Sequence, residues 1–449
     1  MRVPVIVALP AQAALQDSAL SIHTFTPAGP SEELSGIPSR IDIDRSFAAV
    51  PVGSGERGML ESLESLSPQA SQRFAVRGMI EVSSPEEIPF QQENGALVFA
   101  DPLIEPLITC ADPSLGTHND VALSLDVSTL HSKGLDGEGV AVAILDTGIN
   151  FTHLNAKLGF TPRIDAGNSW TPPGSSNRPF NYAVDHGTMC AFDALIAAPK
   201  ATLLDYPILQ GNAPGGSTMG RALSSALLGF SHLLAFWGVA FAPSGANRYK
   251  ALVVNNSWGM YHPSWDFPAD HPGRYADNPA HPFNVIVSTL ANTNADIVFA
   301  AGNCGAECPD PRCRGKVTES ISGANALPDV LTFAGCDISG ARVGYSSQGP
   351  SISGMYLEKP DLTAYTHFKG SEAFGANSPD SGTSTACPVG AGCIAALRTG
   401  LDPKSTPPTA LFDQLRTTAR PVSGLPGWNT DYGYGIIDPV QTARTFGLI

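Results

Sequence analysis

The stretch Gly139-Val-Ala-Val-Ala-Ile-Leu-Asp-Thr-Gly-Ile149 decides how this chain folds. Val140 to Leu145 is an unbroken apolar run, with a glycine before it and Asp-Thr-Gly after it. A strand wet on one face alternates apolar and polar residues, so a continuous run predicts a strand covered on both faces, as in a parallel sheet. Similar runs recur at Thr202 to Leu209, Leu252 to Asn255, Ile297 to Ala301 and Val330 to Ala334. Helical patterns lie between them, at Thr188 to Ala198, Ala222 to Trp237 and Thr385 to Arg398. Strands alternating with helices predict an α/β fold: a three-layer sandwich around a mostly parallel central sheet.

Open parallel sheets place ligands beyond the carboxyl ends of their strands, and Asp146 and Asn303 both fall there. Ser384, in Gly382-Thr-Ser-Thr-Ala-Cys-Pro388, opens a helical pattern, where unpaired N–H groups and the positive dipole end favour an adjacent oxyanion. Pro388 is placed near that helix's first turn, where a missing donor costs least. A serine hydroxyl needs a neighbour to take its proton, and His186 is the expected base and then acid. A carboxylate must hold the imidazole in the right tautomer, which assigns Asp146; the side chain of Asp185 should diverge from that of its neighbour His186. Asn303 and the Ser384 N–H would donate to the oxyanion of the tetrahedral intermediate. Each motif alone is most often a turn or a helix cap. The four together, in this order, point to a peptidase acting through an acyl-enzyme.

Here the sequence resembles the subtilisin-like serine proteases, from about His118 to Gly447. The segment 139–149 resembles their Asp motif, His186-Gly187-Thr188 their His motif, and residues 382–388 their Ser motif. Asn255-Asn-Ser-Trp-Gly259 resembles the strand that pairs with the bound peptide and walls its main specificity pocket, which implies substrate-binding roles for Ser257, Trp258 and Gly259. Tyr345-Ser-Ser-Gln-Gly-Pro350, Lys359-Pro-Asp-Leu-Thr-Ala364 and Gly433-Tyr-Gly-Ile436 resemble further landmarks. Met189, Cys190 and Thr385 depart from the family pattern, and so does the cysteine-bearing insert from Cys304 to Cys313. Trp258 fits either an aromatic-tolerant cleft or plain packing.

The chain divides near residue 118 into a 1–117 N-terminal, prodomain-like part and a 118–449 peptidase part. The first part reads as a smaller α+β domain, with strands at Val3 to Leu9, Ile41 to Val52 and Phe74 to Val82 and a helix at Arg57 to Leu66. A Pro- and Gly-rich connection, Ser84 to Gly116, follows. The resemblance implies a domain that assists folding, caps the cleft as an intramolecular inhibitor and is cut within that connection. It also implies possible structural calcium with no ligands assigned; the chemistry itself requires no cofactor or metal.

Composition narrows the partners. Of 449 residues 41 are acidic and 26 basic, so 41 − 26 = 15 excess negative charges repel phosphate backbones and anionic lipid, and neither nucleic acid nor membrane is an expected partner. Polypeptide is the expected substrate. Ala226 to Ala242 is apolar but interrupted by Ser231 and His232, and reads as a buried helix. Met1 to Ala13 is short for an export signal and contains Pro4 and Pro10; it reads as a strand, which favours the cytoplasm over secretion. Eight cysteines leave the redox compartment open: Cys304, Cys308 and Cys313 could form disulfides, stay thiols or share zinc, while Cys190, Cys387 and Cys393 read as small buried hydrophobes. Two rival readings remain. One is a protease scaffold kept for gripping peptides without cutting them. The other is a pepsin-like aspartic protease built on Asp146-Thr-Gly and Asp380-Ser-Gly-Thr.

Overall fold

A computed structural model describes residues 1–10, 40–44, 47–52, 73–92, 95–106, 114–210, 222–240, 248–422, 424–425 and 427–449. Two sheets organise it. The first is antiparallel and N-terminal, made of β1 (Arg2–Pro10), β2 (Ile41–Ile43), β3 (Val50–Val52), β4 (Arg73–Glu81) and β5 (Leu97–Ala100). β1 lies between β4 and β5, while β2 and β3 both pair with β4. The expected single strand from Ile41 to Val52 is therefore two short ones. The expected connection from Ser84 to Gly116 is not all linker, because β5 inside it completes the sheet. The helix expected at Arg57 to Leu66 and Cys110 lie outside the described residues.

A two-residue ribbon joins the two parts. β6 (Glu105–Pro106) belongs to neither large sheet, and its partner comes from the part after residue 118. The second large sheet is made of β7 (Val140–Leu145), β8 (Arg163–Ile164), β9 (Thr202–Tyr206), β10 (Ala251–Asn256), β12 (Asp296–Ala300), β13 (Leu331–Cys336) and β14 (Leu362–Tyr365), with β11 (Trp258–Gly259) left to pair with β6. Its order is β14-β13-β12-β10-β7-β9-β8 and every pair is parallel. β9 stops at Tyr206, short of the expected Leu209, because Pro207 has no N–H to continue the ladder.

Both faces of this sheet are covered, as the unbroken apolar runs require. Val140, Val142 and Ile144 face a core shared with the helices His186–Ala197 and Thr383–Arg398. Ala141, Ala143 and Leu145 face a second core shared with Leu223–Ala240 and Pro282–Ala291. This second core also takes in Ile6, Ala8, Val50, Ala75 and Phe99 from the N-terminal sheet, so those two helices lie between the sheets. The apolar stretch from Ala226 thus forms part of a packed helix, and among the described residues no helix is long and apolar enough to cross a membrane.

Candidate active site

Two tight turns place the first two side chains. Asp146 directly follows β7 and His186 opens the helix His186–Ala197, and the two motifs are hydrogen-bonded to each other across the gap. The Nδ1 of His186 lies 2.8 and 3.0 Å from the two carboxylate oxygens of Asp146. The Gly187 N–H donates to Thr147 Oγ1 at 2.9 Å, and the Asn150 N–H donates to Thr188 Oγ1 at 3.0 Å. Glycine at 187 permits this approach, since a Cβ there would stand 2.6 Å from the Gly148 carbonyl oxygen. Asp185 bounds the helix and makes no side-chain cap bond, so Asp146 is the carboxylate aimed at the imidazole.

Ser384 is the second residue of Thr383–Arg398, a helix on the same face of the sheet as His186–Ala197. Its hydroxyl donates to the Ser257 carbonyl at 3.0 Å, and the Ser257 hydroxyl donates to the Ser384 carbonyl at 3.0 Å. Pro388 explains the second bond. It sits inside the helix, beyond the expected first turn, and its nitrogen would otherwise bond the carbonyl of the residue four before it, which is Ser384. That carbonyl accepts from Ser257 instead, and also from the Cys190 thiol at 3.6 Å. The helix gives up one internal bond, and the strand end after β10 is fastened to Ser384.

Asn303 is held by the same helix. Its Oδ1 accepts from both the N–H and the hydroxyl of Thr383, each at 3.0 Å, which orients the amide nitrogen away from Thr383. The Thr383 oxygen in turn accepts from the Gly302 N–H at 3.0 Å. Gly302 has φ of 105°, a left-handed conformation that side chains rarely adopt, so the Ala-Ala-Gly-Asn motif needs its glycine. Asp146, Ser384 and Asn303 are fully buried and His186 is 2% exposed in the intact chain.

Cys190 is the residue whose position sequence reasoning missed. It reads as a small hydrophobe, yet its sulfur lies 3.7 Å from both Asp146 Oδ2 and His186 Nδ1, as well as 3.6 Å from the Ser384 carbonyl. The spacing held the signal, because four residues on from His186 is the same helix face. Burial, and then the Asp146 carboxylate, push its thiol well above the usual range, so it is a neutral S–H donor rather than a thiolate. Two departures from the family pattern also meet: the Thr385 hydroxyl points at the Met189 sulfur, 3.5 Å away.

The residues expected to pair with a peptide divide between backbone and side chain. Trp258 pairs antiparallel with Pro106, and Gly259 with Glu105. The Trp258 ring is fully buried and packs edge-on to Phe299 and tilted on Phe283, so packing, not an aromatic-tolerant cleft, accounts for it. Beside it a cavity of about 20 Å³ is lined by Gly259, Ala301, Gly302, Ser320, Ser322 and Asn325, with Cys304 at its rim. Cys304 and Cys313 form a disulfide, which settles that pair against shared zinc, and Cys308 is disulfide-bonded too. Cys190, Cys336, Cys387 and Cys393 are free thiols, all buried. The aspartic-protease pairing does not form: Asp146 holds His186, while Asp380 accepts from the N–H and hydroxyl of Ser371 and couples to Asp193.

A buried carboxylate on an imidazole, a serine at a helix start and a fixed amide define a site of the serine-hydrolase type on a parallel sheet. The model of the subtilase family matches residues 137–435, and the chain belongs to that family. It is 26% identical over 343 residues to a calcium-dependent protease of Trichormus variabilis, covering 69% of this chain and 46% of the relative. It is 25% identical to fervidolysin of Fervidobacterium pennivorans, covering 67% and 40%. Against subtilisin BL of Lederbergia lenta the identity is 25%, covering 70% and 94%. The chain spans less than half the length of the first two of these relatives. A solved structure of the MycP3 protease from a type VII secretion system aligns with TM-score 0.48 and 19% identity, over 76% of this chain and 92% of that one.

Proposed function

We propose that the chain is a serine endopeptidase. What supports this is that the imidazole held by Asp146, the Ser384 hydroxyl tied to Ser257 and the Asn303 amide turned by Thr383 are each fixed by a hydrogen bond, and that the Cys190 thiol touches both His186 Nδ1 and the Ser384 carbonyl. In this reading His186 takes the Ser384 proton as the hydroxyl attacks a peptide carbonyl, and Asp146 stabilises the imidazolium that forms. The Asn303 amide and the Ser384 N–H receive the oxyanion. His186 then protonates the leaving amine, and the same groups activate water to release the acyl-enzyme. The backbone of Ser257 to Gly259 holds the peptide as an added strand.

The part from 1 to about 117 acts in this reading as a built-in inhibitor. β6 already occupies the pairing edge of β11, and the bonds to be cut lie a residue or two beyond Pro106, inside the expected connection. Wild type and Ser384→Ala, expressed side by side, test both ideas. Wild type is expected to yield fragments cut shortly after residue 106 and to digest a peptide library; Ser384→Ala stays intact and digests nothing. A wild type that stays whole and inert towards the library, and towards a serine-directed organophosphonate, sinks the enzyme reading and favours the non-cutting scaffold.

Calcium comes to this chain only through relatives named for it. Asp146, His186 and Cys190 are the one group of three clustered metal-ligating side chains among the described residues, and they offer oxygen, nitrogen and sulfur. Calcium takes about six to eight oxygens, so that group does not fit it and no step is routed through it. The Cys304–Cys313 disulfide supports an oxidising compartment rather than the cytoplasm favoured by the N-terminal segment alone.

A further inference from the structure

The insert closed by Cys304 and Cys313 is the part of the site that the proposed chemistry does not use. It carries Arg312, whose guanidinium is held by Asp310 and Tyr261 independently of the strand on β11. Its Nε and Nη2 donate to the two oxygens of Asp310 at 3.0 and 2.9 Å. Nη2 also donates to the Tyr261 hydroxyl at 2.6 Å, and the guanidinium carbon stands 3.8 Å from the centre of the Tyr261 ring. Asp310 is tied back by its N–H to the Asn303 carbonyl at 2.8 Å, and the disulfide closes the loop. These contacts leave Nη1 as the part of the fork directed at the strand lying on β11.

That strand supplies two acceptors. Nη1 donates to Glu105 Oε2 at 2.6 Å and to the Pro106 carbonyl at 3.2 Å, and the Tyr261 hydroxyl donates to the same carbonyl at 3.1 Å. The carbonyl is present in any peptide, so that half of the grip is blind to sequence. The other N–H faces the side chain of the residue opposite Gly259. A fixed cationic donor there favours a carboxylate, accepts an amide less well and repels an ammonium. Asp310 already balances the charge of Arg312, so the loop does not require Glu105 for its own neutrality. The chain's 15 excess negative charges oppose acidic peptides in general, so a preference for them must arise locally.

We propose that Arg312 is a specificity-determining residue that selects peptides with an acidic side chain at the position pairing with Gly259, and that Glu105 is the built-in example. This rests on the endopeptidase reading for its kinetic consequence, though the recognition itself does not depend on cutting. The first test uses wild type as it emerges from expression, on matched peptides that carry Glu, Gln or Lys at that position. Glu is expected to exceed Gln about ten-fold in kcat/KM, the lower end for a charge-assisted bond because both side chains are partly exposed, with Lys poorer still. Arg312→Glu is expected to reverse the order of Glu and Lys. Cleavage of all three at equal rates overturns the proposal and leaves the endopeptidase reading standing.

The second test needs no catalysis. In full-length Ser384→Ala, hydrogen exchange at Trp258 and Gly259 is expected to speed up with Glu105→Lys or with Arg312→Glu, and to slow again when both are present. Singles without effect, or a double variant without rescue, overturn the proposal; the Glu105→Lys arm and the wild-type peptide comparison guard against a misfolded Arg312 variant. If no peptide is cut while the charge exchange behaves as expected, the endopeptidase reading fails and acid recognition by Arg312 stands.

Discussion

The antiparallel N-terminal sheet and the parallel central sheet bury apolar side chains by the same alternation but depend on different neighbours. In β7 the two sets of side chains meet helices that belong to the same part of the chain. In β1, Val5, Val7 and Leu9 join a core with Ile41, Ile43, Phe74 and Val76, whereas Ile6 and Ala8 lie in the core built around Leu223–Ala240 and Pro282–Ala291. The N-terminal sheet thus borrows the cover of one face from the part after residue 118. Polar bonds fix the docking: buried His281 bonds the Ala100 carbonyl from one ring nitrogen at 2.8 Å while the other caps Pro282–Ala291, and the Ser224 N–H donates to Asp101 at 2.8 Å. The lesson is an asymmetry. The central sheet should survive loss of its neighbour, and the N-terminal sheet should not.

The largest effect that can sharpen this contrast is on activity. Ser384→Ala should lower turnover by roughly 10⁶, the loss measured when the same residue type is removed from a subtilisin. It should also keep the two sheets in one uncut chain, as read by intact mass. Next in size is damage to the self-sufficient half. Arg398 and Asp296 form a fully buried two-bond pair, both bonds 2.6 Å, joining the end of the helix Thr383–Arg398 to the start of β12. Arg398→Met leaves the Asp296 charge buried alone and should cost about 3 to 5 kcal/mol, seen as a lower denaturant midpoint for the whole molecule. An unchanged midpoint would show that the central half tolerates a break the contrast says it cannot.

Ile6→Ala acts on the dependent half. Removing buried methyl groups at the shared core should cost about 2 to 4 kcal/mol. In the uncut Ser384→Ala background, exchange should rise in β1 and β4 and stay slow in β7. Equal acceleration in β7 would make the two halves one cooperative unit and end the asymmetry.

How much of this was legible follows the physics of each element. Long unbroken runs such as Val140 to Leu145 declared buried strands, and the four motifs declared the site, because sheet burial and acyl transfer each demand particular residues in a particular order. β14 escaped notice since Leu362-Thr-Ala-Tyr is short and half polar. The helix Pro282–Ala291 went unread although His281 and Pro282 are start signals. Trp258 was undecidable from sequence, because which face a ring takes depends on Phe283 and Phe299, distant in the chain. The grip of Arg312 on Glu105 bridges 207 positions, and no local pattern encodes such a meeting.

The smallest effect tests whether the active-site half carries a cost of its own. Asp193 lies on the helix begun by His186, and Asp380 four residues before Ser384; both are buried and coupled. Burial, and then Asp380, push the Asp193 carboxyl well up, and burial pushes Asp380 up to about 6 against the bonds from Ser371. A carboxyl raised above its unfolded value of about 3.9 favours the folded state when protonated, so its stabilisation is full below about pH 4 and is lost as pH rises through about 6. Asp193→Asn keeps a hydrogen-bonding group of the same shape and removes one titrating partner. Because burial and Asp380 hold the Asp193 carboxyl well above its unfolded range, wild type should lose stability relative to the variant as pH rises from 5 to 8, measured by paired melts in the Ser384→Ala background. Other raised carboxyls, such as Asp101 and Asp205, are common to both proteins and cancel. Parallel pH courses would mean that the pair stores no proton-linked energy, and that the central half differs from its N-terminal neighbour in packing alone.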